Sequence, residues 1–113
     1  MKIFNKTQNI LIAEQAFLAD NFWSRMKGLL GRKKLSDGEA LIITKCQSIH
    51  MFFMRFSIDA IFVNKEHRVV GLVENIQPFR LSRFFFGSSY VIELKSGTIA
   101  VTKTFIGDQL EWV

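Results

Sequence analysis

Ser48-Ile49-His50-Met51-Phe52-Phe53-Met54-Arg55-Phe56-Ser57-Ile58-Asp59 is the stretch whose reading sets the fold class. On a strand, His50, Phe52, Met54 and Phe56 share one face, and Met51, Phe53 and Arg55 share the other. Aromatic residues suit a half-buried pleated surface. The flanking chain reads the same way. Glu39 to Thr44 is an expected strand upstream. Downstream, Ile58 to Val63 and Arg68 to Glu74 form an expected hairpin around Asn64-Lys65-Glu66-His67, where His67 can take the positive φ that Asn, Asp and His tolerate best. Ile76 to Gly87 is an expected loop containing Pro78. Ser89 to Leu94 is a further strand, Ser96-Gly97-Thr98 a turn and Thr98 to Lys103 a single helical turn. Gly107-Asp108 leads into a last strand, Gln109 to Val113. At the start, Lys2–Asn5, a polar turn and one longer strand from Ile10 to Leu18 read as a hairpin.

The period changes in one place. Asp20 can cap a helix whose Phe22, Trp23, Met26, Leu29 and Leu30 recur at helical spacing. Gly31 can close it in the left-handed conformation, and Arg32, Lys33 and Lys34 suit the negative end of its dipole. The expectation is a mainly β chain: a small β-sandwich or jelly-roll-like barrel with one packed α-helix over about residues 20–30, forming a single domain over 1–113.

At 113 residues, 49% of them hydrophobic, the chain can build a core without staples and is not expected to be disordered. Cys46 is the only cysteine, which excludes an internal disulfide and a zinc cluster built on cysteines. No apolar run reaches the roughly 20 residues of a membrane helix, and no signal peptide is visible. The expected location is therefore cytoplasmic. The net charge of +5 permits contact with anions. No phosphate loop, nucleophile elbow, His-Glu-x-x-His pattern or nucleic-acid-binding motif occurs, so no cofactor or metal is implied.

Taken jointly, several segments resemble the family called domain of unknown function 192, also known as uncharacterised protein family 0127. The run Ser48–Asp59 is similar to its central motif. Phe22-Trp23-Ser24-Arg25-Met26-Lys27-Gly28-Leu29 is similar to its helix, Val91-Ile92-Glu93-Leu94 with Gly97-Thr98 to its strand and turn, and Gly107-Asp108 to its closing pair. The resemblance runs from about residue 10 to the end. It implies a β-sandwich-like or jelly-roll-like fold with one helix, and it implies no activity. This chain departs from the pattern at Met51, where the family often has Thr, at Ser57, where it often has Pro, and at Glu66-His67, where relatives carry a Gly.

Two groups of residues stand out as candidate sites. Arg25, Arg55, Asp59 and Glu93 are charged residues among apolar neighbours, so each must pair or face water. With His50, Met51 and Met54 they suggest a partly basic, apolar-walled site around His50–Asp59 for a small anionic molecule or a peptide end. The same residues allow an alternative, a small hydrolase or isomerase using His50 with Asp59 or Glu93. The second group is Arg80-Leu81-Ser82-Arg83-Phe84-Phe85-Phe86. Three successive Phe cannot all point inward from one strand, so Arg80, Arg83, Phe84, Phe85 and Phe86 form a candidate surface for a partner or a membrane. Nucleic-acid stacking there is a weaker reading.

Overall fold

The computed structural model describes residues 1–19, 35–51 and 54–113. The helix expected over 20–30, with Arg25, lies outside the described residues, as do Phe52 and Phe53. The described chain is mainly β, with eight strands and one short helix. In order these are β1 (Ile3–Asn5), β2 (Ile10–Ala13), β3 (Gln15–Ala19), β4 (Glu39–Thr44), β5 (Ile58–Val63), β6 (Val69–Ile76), β7 (Tyr90–Lys95), α1 (Thr98–Val101) and β8 (Leu110–Trp112). A three-stranded sheet runs β2-β1-β8, and a five-stranded sheet runs β3-β4-β7-β5-β6. Pairing is antiparallel except between β3 and β4, which run parallel.

The inner strands β4, β7 and β5 of the five-stranded sheet are largely buried on both faces, and the period of two along them sorts side chains between two cores. Ile61 and Val63 of β5, Ile42 of β4 and Ile92 and Leu94 of β7 meet Ile3, Ile12 and Leu110 of the smaller sheet. On the opposite face, Ile58, Ala60 and Phe62 of β5, Leu41 and Ile43 of β4 and Val91 of β7 pack with Ile49, Met51 and Met54. Every residue of β5 is buried. A strand covered on both faces carries a continuous apolar run rather than an alternating one, which Ile-Asp-Ala-Ile-Phe-Val supplies with one exception.

That exception is Asp59, which is fully buried. One carboxylate oxygen accepts the backbone N–H of Asn75 at 2.8 Å. The other accepts those of Gly97 at 3.0 Å and Ile99 at 2.9 Å. Two of these donors belong to the start of α1, whose first N–H groups have no partner within the helix. Asp108 does similar work near the other end of the chain. It is buried and accepts from Asn5 Nδ2 at 2.8 Å and the Phe105 backbone N–H at 2.9 Å.

Two segments differ from the sequence reading. Ile10 to Leu18 is not one strand but two, in different sheets, broken at Glu14. The Gln15 N–H donates to the Gly38 carbonyl, so the second half is captured by the chain entering β4. The described residues of His50 to Phe56 do not follow a regular strand. His50 forms a single bridge with Leu81, and the Met54 N–H folds back to the Met51 carbonyl. Met51 and Met54, assigned to opposite faces by strict alternation, are therefore both buried in the second core.

Replacing Asp59 by Asn puts an amide NH2 where carboxylate oxygens accept three backbone N–H groups. Asp59→Asn should lower unfolding stability by about 2–3 kcal/mol in urea titrations. A loss smaller than about 0.5 kcal/mol, the range of an ordinary surface change, would contradict the anchoring role.

Candidate functional site

The second core is roofed by two segments that run antiparallel across the sheet. Met51 N–H donates to the Arg80 carbonyl at 2.9 Å, and Phe79 N–H to the Met51 carbonyl at 2.7 Å. Ser82 N–H donates to the Ile49 carbonyl, and Ile49 N–H to Ser82 Oγ, both at 2.9 Å. Phe85 N–H donates to the Gln47 carbonyl at 2.8 Å, and Gln47 Nε2 returns a bond to the Phe86 carbonyl. The loop after β6 is thus held along its length.

Phe85 is its anchor. Its ring stacks on Phe62 of β5 at 4.3 Å between centroids and lies against Gly71 of β6. A Cβ at position 71 would stand 2.3 Å from the ring, so only glycine leaves room for it. Arg83 places its guanidinium 5.1 Å from the centre of the same ring.

With Phe85 turned inward, its neighbours turn outward. Phe79 is 70% exposed, Leu81 66%, Phe84 48% and Phe86 81%. Phe84 and Phe86 meet each other at 4.7 Å. Arg80 and Arg83 are exposed among them. Phe79 holds φ at 65°, a conformation that is costly for a bulky side chain. Neither 45–51 nor 77–89 contains an Asp or Glu.

The other predicted site residues fall in two environments. Met51, Met54, Asp59 and Glu93 are buried. Arg55 is exposed and His50 half-buried. The described hydrogen bonds of Asp59 all go to backbone N–H groups rather than to His50.

A further cluster escaped the sequence reading. At the end of the sheet where β4 and β5 finish and β7 begins, His67 Nδ1 and the Tyr90 hydroxyl lie 2.9 Å apart. Trp112 meets both rings edge-on, at 5.7 Å from His67 and 4.8 Å from Tyr90. Its indole N–H faces the Tyr90 hydroxyl without a well-aligned bond. His67 has φ 63°, as the turn chemistry led one to expect. Burial pushes the Tyr90 hydroxyl well above its ordinary pKa near 10, with the Trp112 indole pulling weakly the other way. A turn histidine and two isolated strand aromatics carried no signal of a cluster, because ordinary core and turn residues look the same.

Among the described residues no helix is long and apolar enough to cross a membrane, and no cluster of three or more His, Cys, Asp or Glu could hold a metal.

The DUF192 family model, described as "Uncharacterized ACR", matches residues 3–112. A UPF0127 protein of Pyrococcus abyssi is 35% identical over 98% of this chain and 97% of its own length. Another from Thermococcus sibiricus is 33% identical over 97% of this chain and 73% of its own length. Among solved structures, a protein of unknown function from Novosphingobium aromaticivorans superposes with a TM-score of 0.78 at 23% identity, covering 98% of this chain and 82% of that one. At that identity the likeness shows the fold alone.

Tyr90 is the chain's only tyrosine, so phenolate absorbance reads it alone. A folded-state pKa above the unfolded value gives stability that is fully present below about pH 10 and is lost as pH rises beyond it. In a spectrophotometric titration the folded protein should show no phenolate on passing pH 10, the signal rising only as the fold is lost. A reversible titration near pH 10 with the fold intact would contradict the buried cluster.

Proposed function

The chain belongs to the DUF192 family, and we propose that this member is a peripheral docking module whose 79–86 loop settles on an anionic membrane surface. One observation carries the reading: a loop braced throughout by hydrogen bonds holds Phe79, Leu81, Phe84 and Phe86 in solvent, with Arg80 and Arg83 between them. Exposed apolar patches rimmed by charge mark interaction surfaces. The positive φ of Phe79 supports it, because strain at a residue that is 70% exposed is not repaid by packing.

Charge selects the occupant. The two roof segments supply Lys45, Arg80 and Arg83 and no carboxylate. Each basic side chain near an anionic bilayer contributes about 1 kcal/mol. Each ring that leaves water completely contributes about 1.5–3 kcal/mol. Together these give reversible surface binding, with arginine stems lying along the apolar layer and their guanidinium groups at the phosphates. The opposite end of the five-stranded sheet lacks this match. Exposed Val101 borders a cavity of about 530 Å³ whose wall includes Glu14 and Asp37.

The architecture that goes with this reading is a small β-sandwich. The first core, filled by Ile3, Ile12 and Leu110 from one sheet and Ile42, Ile61 and Ile92 from the other, supports it.

The test is sedimentation with sucrose-loaded vesicles. Wild-type protein should bind vesicles of phosphatidylcholine with phosphatidylglycerol, bind neutral vesicles far less, and release with salt. Phe84→Ser with Phe86→Ser should weaken binding about tenfold or more with little change in unfolding midpoint. Failure to bind anionic vesicles, or binding that survives the double substitution, would reject the reading and leave the loop as a surface for a protein partner.

A further inference from the structure

We propose that a groove beside the docking loop, between Lys45 and Lys65, is a binding site for a phosphate monoester group. Two adjoining cavities of about 680 and 270 Å³ share Lys45, Asn64, Lys65 and Ser89 and so form one groove. It lies where β4 and β5 end and β7 begins. Phe86 forms its outer lip, and His67, Tyr90 and Trp112 line its far end.

The electrostatics favour a compact anion. Lys45 and Lys65 come from different turns, and neither has an ion-pair partner among the described residues. By contrast, Lys95 at the other end of the sheet is held 3.1 Å from Asp37. Glu66 is on the groove wall too, but two ammonium groups outweigh it for a dianion. An ammonium is a point charge with three donors, suited to a phosphate approached from several sides. Lys45 also holds φ at 54°, an unusual conformation for lysine.

The neutral groups on the wall are set as donors. Asn64 Oδ1 already accepts the backbone N–H groups of Glu66 and Arg68, which leaves its NH2 as the group for a ligand. The Tyr90 hydroxyl lies 2.9 Å from His67 Nδ1, and we take it as the donor, since a hydroxyl buried to this extent is satisfied by an acceptor in reach. That bond puts the imidazole proton on Nε2, so His67 also offers an N–H. Ser89 adds a hydroxyl. Ser88, by contrast, is spent on the carbonyls of Cys46 and Tyr90.

A phosphate monoester reaches such a groove either as a free metabolite or as the headgroup of a membrane lipid. The lipid source rests on the docking function proposed above; the free source does not. The NMR reporter is the Trp112 indole N–H, assigned against that of Trp23 by Trp112→Phe. Titration of wild-type protein with glycerol 3-phosphate should shift that signal saturably at millimolar concentrations, where equal ionic strength of chloride does not. Lys45→Ala with Lys65→Ala should weaken the effect about tenfold or more, the weight of a charge-assisted bond, while the spectrum stays dispersed. The absence of a saturable shift, or one unchanged by the lysine substitutions, would overturn the site. Leu81→Ser with Phe84→Ser, two exposed loop residues that do not line the groove, should keep glycerol 3-phosphate binding while weakening vesicle docking, so a docking failure and a groove failure are read separately. Tighter binding to vesicles of phosphatidate than to phosphatidylglycerol vesicles of equal charge assigns the site to a lipid headgroup; equal binding alongside the soluble shift assigns it to a free phosphate ester.

Discussion

A single buried carboxylate ties the two halves of this fold together. Asp59 is the second residue of β5, a strand with no exposed residue, yet its oxygens are taken up by the backbone of β6 and by the start of α1. An acid in that position is tolerated only because each of its described contacts is a hydrogen bond. It fixes where the chain turns after β7, and it lets Ile99 of α1 enter the core that the two sheets share. Remove it and three backbone N–H groups lose their acceptor.

The same strand decides what the other face can carry. Because β5 is covered on both sides, the segment after β6 must travel back across the sheet to reach β7, and it does so as a roof over the second core. Phe85 pins that roof by lying on Phe62 in the space that Gly71 leaves. Once Phe85 is inside, chain geometry sends Phe84 and Phe86 out, and the hydrogen bonds to 47–51 hold them there. The exposed rings are therefore a consequence of a rigid platform, which suits a surface that must meet a partner without an ordering cost. The lysine-lined groove sits at the edge of that platform because β4, β5 and β7 all meet loops at one end of the sheet.

Much of the strand order was legible in local pattern. Glu39–Thr44 is β4 at the bounds its composition suggests, and Asn64–His67 turns with His67 at the positive φ its side chain tolerates. The break at Glu14 was not legible, because what splits the strand is the distant Gly38 carbonyl rather than a local glycine or proline. Nor was the bond from the Met54 N–H back to the Met51 carbonyl, in a run where large apolar residues at every position satisfy any period. Asp59 was recognised as a charge in need of a partner, but backbone donors 16 to 40 residues away leave no trace in composition. Sterics alone said that three successive Phe could not all point inward; that Phe85 is the inward one depends on Phe62 and Gly71 across the sheet, and the meeting of His67, Tyr90 and Trp112 likewise depends on sheet topology, which no local pattern encodes.

The most direct measurement is depth-dependent quenching of a tryptophan placed at the loop tip. In Phe86→Trp protein bound to vesicles of phosphatidylcholine with phosphatidylglycerol, a spin label near the lipid headgroup should quench the new fluorescence strongly and a label deep in the acyl chains weakly, beyond any change in the wild-type signal. Such a gradient places the ring at the boundary between headgroups and acyl chains. Fluorescence at position 86 that is indifferent to both labels, in protein that sediments with the vesicles, would contradict docking through this loop.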